Sequence, residues 1–368
     1  MFLSKVEISG FRNLEHAELR LNSQFNYIYG ENGAGKTALL EAVCTLSRGR
    51  SFRTSQSNTL INRGTDSFAI YGEAEYGSTR QHKLGIARTQ KGETRIRIDG
   101  QSSNRTSELA RLLPTQVVLP DAAELIFGAP GVRRSFLEWG LFHVEPHYLE
   151  LSRKYRRALQ QRNAWLKDAA DATLPEQDPW LGQVKTLGLS LGQAQKDYLV
   201  RFEPYFLKML ALLSSDGEIK ASYYWGGLEA AEMADKKWSE SFPRDVKFGL
   251  THRGPHRADI VLEERSVLAS EVLSRGQAKA VASAMILAQT LLQIEETDQA
   301  CVLLIDDFGA ELDREHWIRF LEVLRDIGCQ VIATSTVGPE HNEVWVKEVE
   351  CDVFHVKHGV VEKVRSSD

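Results

Sequence analysis

The sequence predicts an α/β fold in which a mixed sheet with flanking helices and an antiparallel β meander carries a short helical arm. Apolar and polar residues alternate over the first 30 residues and over residues 66–100, as in half-buried strands. Strand-like and helix-like segments alternate after about residue 250, which is the order of a parallel sheet covered by helices. Between these regions, apolar residues recur at helical spacing. We therefore expect a discontinuous head of residues 1–115 and 250–368 and an arm of residues 116–249.

Strand patterns dominate the N-terminal part of the chain. The stretches "KVEISGFR" and "AELRLNSQFNYIYG" predict two or three strands, and "FAIYGEAEYGS", "HKLGIARTQ" and "TRIRIDG" predict an antiparallel meander. The pattern changes to helical spacing near residue 133. Two helical runs flank the break "DATLPEQDP", whose prolines Pro175 and Pro179 cannot continue a helix. Two helices with a short break predict an antiparallel helical hairpin rather than a long coiled coil.

The C-terminal third alternates between strands and helices. The predicted elements are the strand "ADIVLE", a helix after Gly276, the strand "CVLLIDD", a helix through "HWIRFLEVLRDIG" and the strand "QVIATS". This order predicts a parallel sheet. The last segment, "DVFHVKHGVVEKV", predicts a hairpin that turns at His358 and Gly359.

Composition excludes several classes of function. The net charge of −5 argues against a bulk DNA coat, so contacts with nucleic acid need local basic clusters. Cys44, Cys301, Cys329 and Cys351 have no metal-like spacing, and we expect reduced, mostly buried thiols. The charged, strand-like N-terminus predicts no signal peptide, and no apolar run reaches about 18 residues. We expect a soluble, cytoplasmic protein without membrane contact.

A phosphate-loop pattern, G-x-x-x-x-G-K-[ST], follows the strand-like stretch "FNYIY" and precedes a helical one. Glycines let backbone N–H groups surround phosphates, the lysine neutralises the β- and γ-phosphates, and the threonine hydroxyl can bind Mg²⁺. The alternative, a glycine turn between a strand and a helix, is much less consistent with the complete pattern. The residues that match are Gly30, Glu31, Asn32, Gly33, Ala34, Gly35, Lys36 and Thr37.

Two acidic residues end a hydrophobic strand, as the metal site of a phosphate-loop protein requires. In "CVLLIDD", Asp306 is the candidate partner of Mg²⁺, and Asp307 is the candidate that polarises the attacking water. Solvated or helix-capping acids are the alternative, which the phosphate loop disfavours. Because Lys36 and Asp306 lie 270 residues apart, a large insertion must divide the nucleotide fold.

The stretch "LSRGQ" offers a second phosphate contact. Ser274 and Gln277 are spaced as in a capping box, so this turn could merely start a helix. Its order after the phosphate loop and before the paired acids and "AELD" (310–313) resembles ATP-binding-cassette ATPases. That resemblance implies that Ser274, Arg275, Gly276 and Gln277 contact ATP held by a second subunit. It therefore implies a head-to-tail homodimer with ATP and Mg²⁺ as cofactors.

A narrower resemblance covers nearly the whole chain. The stretches "KVEISGFRNLEHAELRLNSQFNYIYGENGAGKTALLEAV", "LSRGRSFRT", "GAPGVRRSFLEWGLFHVEP", "THRGPHRADI", "LSRGQAKAV" and "LLIDDFGAELD" resemble the RecF family of bacterial recombination proteins. The resemblance implies an SMC-like ATPase head that binds DNA when ATP closes the dimer. It implies that RecO and RecR act with it to load RecA at gaps and double-strand/single-strand junctions. A weak, DNA-dependent ATPase is expected, with Lys36 and Asp307 as its catalytic residues.

The sequence departs from most cassette ATPases at two positions. Asp307 stands where many have Glu, and Thr334-Ser335-Thr336 stand where many have a His. The sequence therefore assigns no residue as the sensor of the γ-phosphate. Slow turnover follows from the shorter reach of Asp307. The Gln-bearing loop is assigned to residues 116–121.

Two basic clusters are candidates for sequence-independent contacts with DNA phosphates. For any single arginine, the alternative is an ordinary solvated side chain. The candidate DNA-binding residues are Arg48, Arg50 and Arg53 after the phosphate-loop helix, and Arg153, Arg156 and Arg157 in the arm.

Three rival functions remain for the protein as a whole. They are the ATPase subunit of a transporter, the ATPase of a nuclease complex, and a scaffold that uses ATP only structurally.

Overall fold

The structure is a computed structural model that describes residues 1–77, 79–169, 171–213, 219–228, 234–307, 314–339 and 351–365. The chain divides into two compact units. Unit 1 comprises residues 1–122 and 298–368, and unit 2 comprises residues 123–297. The chain leaves unit 1 once and returns to it once, which agrees with the expectation of a divided nucleotide fold.

The described residues form strands and helices that are numbered here in chain order. The strands are β1 (Phe2–Phe11), β2 (Leu14–Arg20), β3 (Phe25–Tyr29), β4 (Ser67–Tyr76), β5 (Arg80–Thr89), β6 (Thr94–Ile98), β7 (Gln101–Ser103), β8 (Thr115–Val118), β9 (Ile219–Tyr224), β10 (Asp259–Glu264), β11 (Val267–Leu268), β12 (Val302–Ile305), β13 (Gln330–Ser335), β14 (Cys351–Lys357) and β15 (Val360–Arg365). The helices are α1 (Lys36–Arg48), α2 (Thr106–Leu112), α3 (Glu124–Phe127), α4 (Pro130–Val144), α5 (Tyr148–Asp168), α6 (Leu181–Leu213), α7 (Ala234–Phe248), α8 (Ala269–Val272), α9 (Arg275–Thr297) and α10 (Arg314–Ile327).

Unit 1 consists of two sheets with α1 between them. The antiparallel sheet has the strand order β2-β1-β4-β5-β6-β7, which confirms the predicted meander. The second sheet has the order β15-β14-β3-β13-β12-β8, and its strands are parallel except for the edge strand β15. Apolar side chains of both sheets and of α1 form one buried core. This packing fixes the start of α1 at the carboxyl ends of β3 and β12, where open α/β sheets bind their ligands.

Unit 2 contains the predicted helical runs and a small sheet. Helices α5 and α6 pack against each other, and α9 packs against α4 and α6. The expectation that "ADIVLE" belongs to the parallel sheet is wrong, because this strand, β10, pairs antiparallel with β9 and β11. Its hydrogen-bonding partners come from the insertion itself. Residues 250–297 therefore pack within unit 2, whereas the sequence-based division places them with the head.

A buried polar network holds the helices of unit 2 together. The guanidinium of Arg162 is fully buried and donates to Asp178 at 2.7 Å, to Asp245 at 2.8 Å and to Thr251 at 2.8 Å. Nearby, His256 accepts a hydrogen bond from the Tyr155 hydroxyl (2.6 Å) through Nδ1 and donates through Nε2 to a backbone carbonyl. These contacts join α5 and α7 to the stretch "THRGPHRAD" and give its buried Thr251 and half-buried His256 hydrogen-bonding partners.

Candidate nucleotide-binding site

The phosphate loop lies between β3 and α1, as predicted. A side chain at Gly30 would meet the Val356 carbonyl oxygen at 2.3 Å, so only glycine fits the close approach of β14. Gly35, which precedes α1, has φ +122°, a backbone conformation that other residues rarely adopt. No side chain among the described residues caps this helix N-terminus. The first-turn N–H groups and the positive end of the helix dipole therefore remain available for an anion.

Lys36 lies at the centre of the loop. Its side chain is buried, and Nζ donates to the carbonyl oxygens of Gly30 (2.8 Å) and Glu31 (2.9 Å). Burial lowers the pKa of Lys36 below its ordinary value, while the carboxylates of Asp307 and Asp306 act in the opposite direction. A buried ammonium held by neutral carbonyl oxygens is under-compensated. Nucleotide phosphates would supply the missing negative charge.

The acids at the end of β12 meet the phosphate loop, as the sequence predicts. The Thr37 hydroxyl lies 3.0 Å from both carboxylate oxygens of Asp306. The buried Thr334 hydroxyl donates to Asp306 at 2.7 Å and accepts the backbone N–H of Asp307 at 3.0 Å. Asp307 has φ +52°, a strained conformation for a residue other than glycine. Thr334, which the sequence suggests only as the replacement of a histidine, thus orients both acids.

The turn between β1 and β2 contacts the phosphate loop, which sequence reasoning missed. The Asn13 side-chain amide donates to the Gly33 carbonyl at 3.1 Å. The backbone N–H of Gly359, in the β14–β15 turn, donates to the Ala34 carbonyl at 2.8 Å. The sequence gave no signal of these two contacts, because Asn13 and Gly359 are remote in sequence from the phosphate loop.

A second network starts from the same turn. Arg12 forms a two-point ion pair with the fully buried carboxylate of Glu41 in α1, at 2.9 and 2.7 Å. The Ser51 hydroxyl donates to the same carboxylate, and Arg12 also donates to the Thr59 carbonyl at 2.9 Å. The network therefore fixes the segment after α1, which carries Arg53, against the phosphate-loop helix.

The "LSRGQ" turn lies in unit 2 at the start of α9. The Gln277 side chain accepts the backbone N–H of Ser274 (2.9 Å), and the Ser274 hydroxyl accepts that of Gln277 (3.3 Å). This is the predicted capping box. Ser274, Arg275 and Gly276 are exposed, and a side chain at Gly276 would meet no atom within 4 Å. The turn is thus held by its own hydrogen bonds and is exposed to solvent.

Two of the stretches that resemble the RecF family contact each other. Arg133, of "GAPGVRR", forms a two-point ion pair with Asp259 of "THRGPHRADI", both bonds at 2.8 Å. Arg134 donates to the Ala258 carbonyl at 3.0 Å. Arg133 also donates to the Gly128 carbonyl at 2.9 Å. These residues support the architecture of unit 2, a role that their spacing in the sequence does not reveal.

The arginines proposed to contact DNA differ in their surroundings. Arg48 is half-buried and its guanidinium donates to the Thr115 carbonyl, so it faces inward rather than toward solvent. Burial lowers the pKa of Arg48, and any contact with DNA would require this side chain to turn outward. Arg156 pairs with Glu138 at 2.8 Å, but both side chains remain largely exposed. The remaining candidates, Arg50, Arg53, Arg153 and Arg157, are exposed.

The structure also bears on the predicted Gln-bearing loop, the stretch "AELD" and the expectations about membrane and metal. Gln116 is buried within β8, so it is a strand residue rather than part of a loop. The stretch "AELD" (310–313) lies outside the described residues. Within the described part of the chain, no helix is long and apolar enough to cross a membrane, and no group of three His, Cys, Asp or Glu could hold a metal unaided. Thr37 and Asp306 fit Mg²⁺, which binds one or two protein oxygens together with phosphates and waters.

Comparison with known proteins identifies the family. A family model described as the RecF/RecN/SMC N terminal domain matches residues 2–362. The DNA replication and repair protein RecF of Stutzerimonas stutzeri (strain A1501) is 37% identical over 98% of this chain and 97% of its own length. The chain belongs to the RecF family. RecF of Pseudomonas putida (strain GB-1) is 36% identical over the same shares of the two chains. The resemblance predicted from the sequence is confirmed.

Solved structures agree with this assignment. A structure of the recombination mediator protein RecF with ATP, in the RecFOR pathway, has a TM-score of 0.87 and 26% identity, and covers 99% of this chain and 98% of that one. An Smc head bound to the C-winged helix domain of ScpA has a TM-score of 0.61 at 16% identity, over 99% and 97% of the chains. The second likeness shows the fold alone. The predicted fold class, a RecF- and SMC-like head, is confirmed.

Proposed function

We propose that this RecF-family protein is an ATP-dependent DNA-binding protein of recombinational repair. ATP closes a head-to-tail homodimer, the dimer binds DNA at gaps or double-strand/single-strand junctions, and slow hydrolysis resets it. With RecO and RecR it promotes the loading of RecA, in the cytoplasm. The observation that carries the proposal is the arrangement of Lys36, Thr37 and Asp306 around one helix N-terminus. The solved relative with ATP supports the choice of nucleotide.

The residues around the loop suit a nucleotide with Mg²⁺. Lys36 has two neutral oxygens as partners and one remaining N–H for a phosphate oxygen. Thr37 and Asp306 offer a hydroxyl and a carboxylate within 3.0 Å of each other, the oxygen ligands that Mg²⁺ prefers. When bound, Mg²⁺ would neutralise charge on the β- and γ-phosphates. Asp307, beside these groups, would hold the attacking water. The Thr334 hydroxyl orients Asp307 because it accepts the backbone N–H of that residue.

The exposed "LSRGQ" turn supports a dimer with shared sites. Ser274 and Gln277 satisfy each other's backbone donors, so the turn keeps its shape without a ligand. The N-terminus of α9 still presents a partial positive charge to solvent. A phosphate held by a second copy would complete this arrangement, and two equivalent sites would follow from twofold symmetry.

Light scattering of the Asp307→Asn variant, with and without ATP and Mg²⁺, tests the proposal. The amide keeps the shape of the carboxylate but removes its charge, so hydrolysis should slow while ATP stays bound. We expect the mass to double with ATP and Mg²⁺ and to return to that of one chain without them. The doubled species should then bind gapped duplex DNA. A single-chain mass with ATP bound at saturation contradicts the shared-site dimer.

A further inference from the structure

The antiparallel sheet of unit 1 carries a local excess of positive charge. Residues 80–105 contain seven Lys and Arg but only two acidic residues, in a chain whose net charge is −5. Lys83, Arg95 and Arg97 in this segment are exposed, and we name these three side chains the basic sheet face. None of them belongs to the phosphate loop or to the arginine clusters considered above.

Strand register places the three side chains on one face. Arg97 lies opposite Gly85, and Arg95 lies opposite Ala87. Lys83 precedes Gly85 by two residues in β5 and so occupies the alternate position of the same strand. Partners across a ladder point to the same side, and alternate residues of a strand share a face. The intervening residues Leu84, Ile86 and Ile96 are buried in the core. The basic sheet face therefore points away from α1 and toward solvent.

The positive charges of this face are poorly compensated. On the β1–β2 part of the same sheet, Lys5 pairs with Glu7 and Glu18. On β6, by contrast, Arg95 has one partner, Glu93, at 3.8 Å, with both side chains mostly exposed. Such a pair contributes little. Glu73 of β4 lies opposite Lys83, but its carboxylate accepts hydrogen bonds from Tyr71 (2.7 Å) and Gln81 (3.1 Å). Among the described residues, neither Lys83 nor Arg97 has an ion-pair partner within 4.0 Å.

The chemistry of this surface fits a phosphate backbone better than a protein partner. Protein interfaces depend on apolar and aromatic anchors at their centre. The described residues before Phe127 include no exposed large hydrophobic side chain. Phosphate backbones need only cations, and the guanidinium fork of arginine matches a phosphate at two points. Arg95 and Arg97 are two residues apart, about 7 Å along the strand, so each can contact a separate phosphate.

We propose that the basic sheet face binds the phosphate backbone of duplex DNA without regard to base sequence. This inference rests on the proposed DNA-binding function and assigns a contact surface on unit 1 that is independent of the arm arginines. Lys83 supplies a third charge beside the two arginines. The surface adds affinity and salt dependence rather than specificity.

The test is the salt dependence of DNA affinity. The double variant Arg95→Gln/Arg97→Gln removes two charges and keeps side chains that a strand tolerates. The matched control, Lys208→Gln/Arg325→Gln, removes two charges from exposed side chains of α6 and α10, outside this sheet. Fluorescence anisotropy of a labelled duplex, with ATP and Mg²⁺, gives the affinity between 50 and 200 mM salt. Arg95→Lys/Arg97→Lys keeps the charge and tests for rescue.

We expect the wild-type protein and the control to lose roughly tenfold more affinity over this salt range than the Gln variant. This difference corresponds to a slope of about 0.9 for each of two phosphates. The Lys variant should retain most of the wild-type slope. Equal slopes for the wild-type protein and the Gln variant, with clear DNA binding by both, would overturn the proposal that the basic sheet face binds DNA. The proposed DNA-binding function would be unaffected by that result. Absence of DNA binding by the wild-type protein, even at 50 mM salt, overturns the proposed function as well.

Discussion

The Thr37 hydroxyl lies 3.0 Å from both carboxylate oxygens of Asp306, a residue 269 positions further along the chain. Thr37 lies in the first turn of α1, and Asp306 directly follows β12. The parallel register of β12, β13 and β3 brings the two residues to one edge of the sheet. Thr334, at the end of β13, holds Asp306 from the other side at 2.7 Å. The sheet thus brings the candidate metal ligands together.

Lys36→Arg should abolish ATP hydrolysis. The present ammonium fits between the carbonyl oxygens of Gly30 and Glu31, and the larger planar guanidinium cannot occupy that position without displacing the loop. We expect a fall in turnover of at least about a hundredfold, as for loss of one preorganised charge contact. A phosphate-release assay measures it, and Lys91→Arg, in the exposed β5–β6 turn, is the control. Normal turnover by Lys36→Arg would contradict the assigned role.

Ser274→Arg should prevent the ATP-dependent dimer and leave ATP binding by the monomer intact. The residue is exposed at the start of α9, so a long side chain can be accommodated within the unit but blocks approach of a second copy. Loss of the capping bond costs only about 1 kcal/mol, and Ser274→Ala controls for it. Light scattering gives the mass and fluorescent-nucleotide titration gives the affinity. Dimerisation of the Arg variant at wild-type ATP concentrations would exclude the turn from the interface.

Local patterns made much of this site predictable from the sequence. The phosphate loop, the acids after β12 and the capping box at Ser274 each depend on a few adjacent residues. The same holds for the meander and for the β14–β15 hairpin, whose alternation and turn residues are contiguous.

Contacts between distant segments were not predictable in this way. Asn13 reaches the phosphate loop only because the β1–β2 turn folds beside it, and an asparagine in a turn is usually explained by the turn itself. The strand β10 has an ordinary strand pattern, which does not reveal that its partners are β9 and β11. Arg48 belongs to a basic cluster in the sequence, but its position at the end of α1 directs it to the Thr115 carbonyl.

Arg12→Met should destabilise unit 1 because it leaves the buried Glu41 carboxylate without its ion-pair partner. Removing one member of a buried pair costs roughly 3 to 5 kcal/mol of unfolding free energy. Because the Arg12 side chain is partly exposed, we expect a loss of about 3 kcal/mol. Urea unfolding measures the change. Arg12→Met/Glu41→Leu replaces the pair by apolar groups and should recover much of the stability. The control Arg20→Met, at a side chain 79% exposed, should change it little. A double variant less stable than Arg12→Met would contradict this account.

His256 should make the stability of the protein depend on pH between about 4 and 6.5. Burial lowers the pKa of His256 to about 4 in the folded protein, against an ordinary value of 6.5. In this interval the unfolded chain binds a proton that the folded protein does not, so stability falls as the pH is lowered. The contribution is fully present above pH 6.5 and is lost as the pH falls to about 4. It amounts to about 3 kcal/mol in total.

Urea unfolding at several pH values between 4.5 and 7.5 tests this dependence. His256→Gln can still donate to the Thr251 carbonyl but does not titrate, so its stability should fall less steeply below pH 6.5. Carboxylates contribute to the slope of both proteins equally, and the difference between the two curves isolates His256. His16→Gln, at an exposed histidine, should keep the wild-type slope. Parallel curves for the wild-type protein and His256→Gln would show that His256 takes up its proton at the same pH in the folded and unfolded states. That result would conflict with its burial and with the hydrogen bond that its Nδ1 accepts from Tyr155.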